Sequence, residues 1–152
     1  MTHKILTFDD LGITPADIYG QMGYHDALPD EATKMEASTI VAHVRAILQA
    51  EFCFFVTREL PAFDMGKIIM NQLRGAEGYS FFIATCGWAF ERFQQQLKAE
   101  GDMVRVFIAD AMGSVIAEKC ADEMEKNLQL SIDKLGWKHT NRFSPGYCGW
   151  HV

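Results

Sequence analysis

The sequence predicts an α+β fold, a single domain in which an antiparallel or mixed β-sheet is flanked by helices. Two apolar runs, residues 51–60 and 79–85, have the length and the aromatic and β-branched content of strands. Longer segments before, between and after them carry apolar residues at helical spacing. This order of elements fits one α+β layer arrangement around one core.

Composition supports one globular domain and argues against a nucleic-acid surface. The chain has 152 residues, of which 49% are hydrophobic and 22% charged, which is typical of a soluble globular protein. The formal net charge is −6, whereas a protein that binds nucleic acid through its backbone phosphates carries a basic surface.

The sequence gives no sign of export or of membrane insertion. No apolar run approaches the roughly 18 residues of a membrane span, and residues 1–4 lack the apolar core of a signal peptide. We therefore expect a cytoplasmic protein with no membrane contact. The cysteines are widely spaced and are expected to be reduced thiols, most of them in the core: Cys53, Cys86, Cys120 and Cys148.

Two helices are predicted in the first fifty residues. Thr14 followed by Pro15 is typical of an N-cap and first helical position, and this helix should run to about Met22. Residues 29–31 (Pro-Asp-Glu) open a longer helix. Its predicted apolar stripe consists of Met35, Ile40, Val41, Val44, Ile47 and Leu48.

The predicted strands follow. Residues 51–60 form a strand that we expect to be buried on both faces and to stop at Pro61. Residues 67–73 fit a strand or a helix equally well, and Gly75 and Gly78 mark a turn. Residues 79–85 form the clearest strand of the sequence, which Gly87 breaks.

Two more helices are predicted after this strand. The first covers residues 88–99 and is closed by Gly101 as its C′ residue, and Asp102 is the expected N-cap of the second. An apolar residue then recurs every fourth position, so the second helix should be well buried: Val104, Ile108, Met112, Ile116, Cys120, Met124, Leu128 and Ile132, with Phe107, Ala111 and Val115 on the same face. Gly113 predicts close packing against a neighbour, because a glycine inside a helix costs about 1 kcal/mol relative to alanine.

After Gly136 the chain is expected to return as an extended segment, residues 137–143, to a rigid non-helical loop, residues 142–150 (RFSPGYCGW). Pro145 restricts the backbone around it, and Gly146 permits a positive φ or a close approach to a ligand. Arg142 offers a planar fork of donors that matches a carboxylate, while Tyr147 offers an aromatic face. The loop suits a small, partly planar, anionic or zwitterionic ligand. Taken alone, it also fits a turn whose aromatic side chains close a core.

The loop resembles the R-x-x-P-G-Y signature of the activation domain of cobalamin-dependent methionine synthase, and R-F-S-P-G-Y-x-x-W is similar to the stand-alone relatives of that domain. Two upstream stretches resemble the same family in the same order. These are the strand-to-helix turn at residues 84–87 (ATCG) and the helix that begins near residues 101–103 (GDM) and continues through residues 110–114 (DAMGS). The resemblance covers about residues 81–150 and implies a twisted antiparallel sheet flanked by helices.

The resemblance implies that the loop binds S-adenosylmethionine. Arg142 matches the motif arginine that holds the ligand's carboxylate, and Ser144, Gly146 and Tyr147 match positions that contact the ligand, partly through backbone atoms. The family's acidic ligand contact lies near the start of its domain. Three residues are candidates for it here, and the sequence does not choose among them: Asp9, Asp10 and Asp17.

The resemblance also implies an accessory role in methionine biosynthesis rather than a complete enzyme. The module would present S-adenosylmethionine to an oxidised corrinoid (cobalamin) on a partner methyltransferase or methionine synthase subunit. Reductive methylation would then use an electron from a separate flavodoxin-type donor. Stand-alone relatives continue beyond this loop, so we expect a truncation after Val152. The alternative is a module that docks on or caps a corrinoid protein without binding a ligand.

Other chemistry-bearing residues have simpler explanations. Cys148, His151 and His139 could supply three metal ligands, but a structural zinc site normally needs four. Cys86 is expected to pack rather than act as a nucleophile. The pair Asp110 and Ser114 is expected to be solvated or satisfied locally, and could instead support the binding loop. The acidic run of Glu118, Asp122, Glu123 and Glu125 is expected to face solvent, where a partner could dock.

Overall fold

The computed structural model describes residues 1–60 and 62–151, and the predicted strand end at Pro61 lies outside them. Within the described part of the chain the fold is α+β. The strands are β1 (Thr2–Leu6), β2 (Ala50–Thr57) and β3 (Tyr79–Thr85). The helices are α1 (Pro15–Gln21), α2 (Glu31–Ile47), α3 (Gly66–Gln72), α4 (Trp88–Glu100) and α5 (Met103–Ile132), with short 3-10 turns at Asp9–Leu11 and Asp133–Leu135.

The strands form one antiparallel sheet in the order β1-β2-β3, which confirms the antiparallel alternative. β1 was not among the predicted strands. Its sequence, THKIL, carries no clear alternation, and only Leu6 of its five residues is buried. Its strand conformation comes from pairing with β2, where Lys4 stands opposite Phe52, and such a partner 48 residues away is invisible to a local pattern.

The helices α1, α2, α4 and α5 lie on one face of the sheet. Helix α5 packs on β2 and β3, and helices α1, α2 and α4 pack around α5. Phe52 and Phe54 of β2 point to this side and are buried in the main core. The prediction that this strand is buried on both faces is wrong, because Phe55 points to the other face and is 46% exposed.

The helix ends follow the predicted local chemistry. Thr14 and Asp17 form a capping box at the start of α1, with Thr14 N donating to Asp17 Oδ2 over 2.8 Å. Asp102 caps α5 by accepting from Arg105 N at 3.1 Å. Gly101 ends α4 in the left-handed conformation, as predicted for a C′ glycine. The ambiguous stretch, residues 67–73, belongs to a helix, α3.

The buried face of α5 is the predicted stripe with two corrections. From Ile108 to Ile132 the residues at every fourth position are buried, and Gly113 packs against Phe90, whose Cε1 would lie 2.9 Å from an added Cβ. Val104 and Phe107, however, are exposed. The first turn of α5 instead buries Val106 and Ala109 against Leu97 of α4, in a small separate cluster. In α2 the stripe is also right except for Met35, which points to solvent.

None of the helices in residues 1–60 and 62–151 combines the length and the apolar character needed to cross a bilayer.

Candidate functional site

The candidate site begins where the chain leaves α5 and turns back along it. Gln129 of α5 donates from Nε2 to the Trp137 carbonyl at 3.0 Å and accepts from His139 N at 3.5 Å. Arg142 then reaches carboxylates 17 to 24 residues earlier in the chain, on preceding turns of the same helix. Residues 137–143 therefore run antiparallel to α5. They form no strand, and Trp137, His139 and Arg142 make hydrogen bonds to side chains of the helix.

Arg142 is held by three carboxylates of α5. Its Nη1 donates to Asp122 Oδ1 at 2.9 Å and to Glu125 Oε2 at 3.1 Å, and its Nη2 donates to Glu118 Oε2 at 2.5 Å. We call Arg142 with Glu118, Asp122 and Glu125 the acidic clasp. Burial opposes the charge of Arg142, but the hydrogen bonds to Asp122 and Glu118 outweigh it and raise the arginine's pKa above its ordinary value.

The acidic run was predicted to face solvent, but its members make ion pairs within the molecule. Three of its four members bind Arg142, and the fourth, Glu123, pairs with Lys126. The spacing i, i+4, i+7 of Glu118, Asp122 and Glu125 places them on one face of the helix, which the sequence could have shown. The identity of their cation could not be read from it, since Arg142 lies 17 residues or more away along the chain.

The loop after Arg142 is closed by its own backbone hydrogen bonds. Gly146 N donates to the Trp150 carbonyl at 2.7 Å, Tyr147 N to Ser144 at 3.2 Å and Trp150 N to Tyr147 at 2.9 Å. Gly146 has φ of +92°, the positive value that its residue type was predicted to permit. The loop is non-helical, as predicted.

The loop reaches the body of the protein through a chain of aromatic rings. Trp150 stacks on Phe63 with ring centroids 5.7 Å apart, Phe63 meets Phe81 of β3 at 5.8 Å, and Phe81 stacks on Phe55 of β2 at 5.3 Å. Phe55 and Phe81 lie on the sheet face opposite the main core. Phe63 was not singled out from the sequence, because nothing near it in the chain marks it as a partner of Trp150.

The predicted ligand residues are grouped on this loop but differ in environment. Ser144, Gly146 and Tyr147 are exposed, and Tyr147 is 71% accessible to solvent. The side chain of Arg142 is 27% exposed in the clasp. Of its five N–H donors, Nε–H and one Nη2–H have no hydrogen-bond partner among the described residues.

The three candidate acidic contacts all have local partners. Asp9 pairs with Arg45 at 3.1 Å, and Asp10 accepts from the backbone and hydroxyl of Thr7 at 2.8 and 2.6 Å. Asp17 belongs to the α1 capping box and also lies 3.4 Å from Lys119. Lys119 borders an open groove of about 710 Å³ that Asp122 and Glu125 also line, so Asp17 is the candidate connected to the clasp.

The two upstream segments of the resemblance meet at a second place. Cys86 Sγ donates to the Gly113 carbonyl at 3.3 Å, which joins the β3–α4 turn to the middle of α5. Burial raises the pKa of Cys86 to about 11, which suits a packed thiol and not a nucleophile. Asp110 accepts from Gln94 at 2.9 Å and Ser114 donates to the Asp110 carbonyl at 3.2 Å, so this pair is satisfied locally, the commoner of the two predicted outcomes.

The possible metal ligands do not come together. His139 Nδ1 lies 3.0 Å from the Thr140 carbonyl, and Cys148 is exposed with φ of +52°. Within residues 1–60 and 62–151 no three His, Cys, Asp or Glu side chains are arranged to hold a metal ion.

Comparison of the sequence with models of known protein families gave no match, and comparison with curated proteins found no relative.

Proposed function

We propose that this chain is an S-adenosylmethionine-binding activation module for a corrinoid-dependent methyltransferase such as methionine synthase. The proposal rests on the resemblance of residues 84–87, 110–114 and 142–150 to the activation domain of that enzyme. One structural observation carries it further. The chain holds a partly buried guanidinium at a fixed position at the start of a closed Pro-Gly loop that displays a tyrosine ring.

The groups present fit the two ends of the ligand. Arg142 has two free N–H donors for a carboxylate, and the open ring of Tyr147 offers a face for an adenine or for a sulfonium. Ser144 and Gly146 offer backbone groups on the same exposed loop. When bound, S-adenosylmethionine would supply the methyl group and the partner's reduced corrinoid would accept it. The residues of this chain bind and orient, which makes it an accessory component.

Calorimetric titration of S-adenosylmethionine into the wild type and Arg142→Ala tests the proposal. Loss of a charge-assisted hydrogen bond should cost about 2 kcal/mol, or roughly thirtyfold in Kd. Arg105→Ala is the matched control, because Arg105 also pairs with carboxylates, Glu36 and Asp102, but lies at the start of α5 far along the helix from the clasp. Absence of binding to the wild type, or equal affinity for a folded Arg142→Ala, would contradict the assignment.

A second candidate function is docking on a corrinoid protein without any ligand. The sheet face opposite the main core favours it, since Ile83 is 67% exposed and Ile5 and Phe55 lie on the same side of the sheet. Contiguous exposed apolar side chains of this kind mark interaction surfaces. A pull-down of a corrinoid-binding methyltransferase subunit, with and without S-adenosylmethionine, separates the two functions. Capture that is indifferent to the ligand and lost in Ile83→Asp would favour docking alone.

A further inference from the structure

The acidic clasp carries more negative charge than its arginine can balance. Three carboxylates surround one guanidinium, so at neutral pH the group has a net charge of −3 + 1 = −2. The two nearest lysines on α5 do not correct this, because Lys119 pairs with Asp17 and Lys126 pairs with Glu123. A further carboxylate approaching Arg142 therefore meets an excess of like charge.

The same carboxylates occupy three of the five donors of Arg142 and leave free only Nε–H and one hydrogen of Nη2. Both hydrogens of Nη1 and one of Nη2 are taken, which leaves no complete pair on the Nη1–Nη2 edge of the guanidinium. A two-point contact on that edge needs at least one α5 carboxylate to leave. Glu118 is the one most easily displaced, since its side chain is 72% exposed whereas that of Glu125 is 25% exposed.

We propose that the acidic clasp is an autoinhibitory contact, in which Glu118 and Asp122 hold one edge of Arg142 and lower, through their negative charge, its affinity for the ligand's carboxylate. The inference rests on the proposed function, because it assigns the ligand's carboxylate to Arg142. The inference adds that the carboxylates of α5 set the affinity of the loop for the ligand. They also keep the loop docked on α5 when no ligand is present.

Variants that remove the negative charge of Glu118 and Asp122 but keep the size of their side chains test the autoinhibitory role of the clasp. Glu118→Gln and Glu118→Gln/Asp122→Asn keep the side-chain volumes and remove the charge that opposes a carboxylate. The control is Glu123→Gln, which removes one charge from the same acidic run but touches Lys126 and not Arg142. Titration of S-adenosylmethionine should show affinity rising about threefold to tenfold in the clasp variants and changing less than twofold in the control.

A second readout needs no ligand. Trypsin cleaves after arginine only when that side chain can enter the protease, so a clasped Arg142 is protected and an opened one is not. Brief digestion followed by mass spectrometry should show the peptide 143–152, which contains no lysine or arginine, released several times faster from Glu118→Gln/Asp122→Asn than from the wild type or Glu123→Gln.

The outcomes separate the two claims. If the wild type binds S-adenosylmethionine and the clasp variants bind it equally well or more weakly, autoinhibition is overturned and the proposed function stands. Weaker binding would mean that the carboxylates hold the ligand's cationic groups. If no variant binds S-adenosylmethionine while digestion at Arg142 still accelerates, the proposed function and the autoinhibitory role are both contradicted. The clasp then serves only to hold the C-terminal segment on α5.

Discussion

The body of the molecule and its C-terminal segment, residues 137–151, touch the same helix through opposite faces. On one face of α5, Met112, Ile116 and Met124 are almost completely excluded from solvent and pack against the sheet and the other helices. On another face, Gln129 and the acidic clasp hold the segment by hydrogen bonds between partly exposed groups. Apolar burial contributes several kcal/mol per side chain, whereas exposed ion pairs contribute about 0–1 kcal/mol each.

The difference teaches that the candidate site is carried by a segment that, apart from Trp137, is held mainly by hydrogen bonds, ion pairs and one aromatic stack and not by the main core. The loop depends on one clasp at its start and one aromatic stack at its end. Each can open while the core stays folded, because local openings draw on the free energy of local contacts alone. Such an attachment suits a site that must admit a ligand or a partner.

The largest expected effect is a loss of stability, which should come from changes in the body of the molecule and not from changes in the C-terminal segment. Ile116→Ala removes a fully buried side chain and should lower the free energy of unfolding by about 2–5 kcal/mol. Arg142→Ala should lower it by less than about 1 kcal/mol. Leu130→Ala, an exposed position of α5, controls for the helix itself. Urea denaturation measures all three, and equal losses for Ile116→Ala and Arg142→Ala would erase the distinction between body and segment.

The partly buried thiol of Cys86 in the body should make stability depend on pH. The pKa of Cys86 is raised to about 11 by burial, so the folded state binds this proton more tightly than the unfolded chain does. Its stabilising contribution is therefore complete below about pH 8.5 and is lost as the pH rises through 11, by roughly 2 kcal/mol. The difference in unfolding free energy between wild type and Cys86→Ala should shrink across that range, and a constant difference would contradict the burial argument.

The cysteines of the two regions also differ in their exposure to solvent. Cys148 lies on the exposed loop, so at pH 8 a thiol reagent should modify it in the folded protein faster than the partly buried Cys86 and the buried Cys120. Mass spectrometry after a short alkylation identifies the modified cysteine. Equal labelling of Cys86 and Cys148 would show that the strand-to-helix turn opens as readily as the loop.

A smaller effect is expected where the segment meets the body. Gly66 has φ of +78°, and a Cβ there would overlap the carbonyl of Gly149, so Gly66→Ala should push the loop away. Gly75→Ala is a matched control, since Gly75 has φ of +83° with nothing within 4 Å of an added Cβ. Both should lose about 1 kcal/mol to backbone strain. Only Gly66→Ala should increase tryptic cleavage after Arg142, and equal cleavage in both would mean that the contact with Gly149 does not hold the loop.

The same contrast explains what the sequence could predict. Helix ends at Thr14, Gly101 and Asp102 follow from chemistry within three or four residues, and the stripe of α5 follows from helical periodicity. These features are local, so a local pattern identifies them. The exposure of Phe55 and Phe107 was predicted wrongly, because it depends on which faces the remaining elements happen to cover.

The sequence could predict which residues lie together on the loop of the candidate site, but not which distant residues they contact. Arg142, Ser144, Gly146 and Tyr147 do share one turn-rich loop, which their order along the chain already required. The partners of Arg142 on α5 and the stack of Trp150 on Phe63 join residues 17 to 87 positions apart. Contacts of that range depend on the packed fold, and polar ones leave no periodic signature.

Native-state hydrogen exchange tests most directly whether the C-terminal segment is an independently released unit held by charge. The amides of Gly146, Tyr147 and Trp150, which close the loop, should be compared with amides of residues 108–124 in α5 at 0.05 M and 1 M NaCl. We expect the loop amides to exchange by local opening and several times faster in high salt, which screens the clasp, while the α5 amides exchange only through global unfolding. A common opening free energy for both sets, with no effect of salt on the loop, would contradict the account.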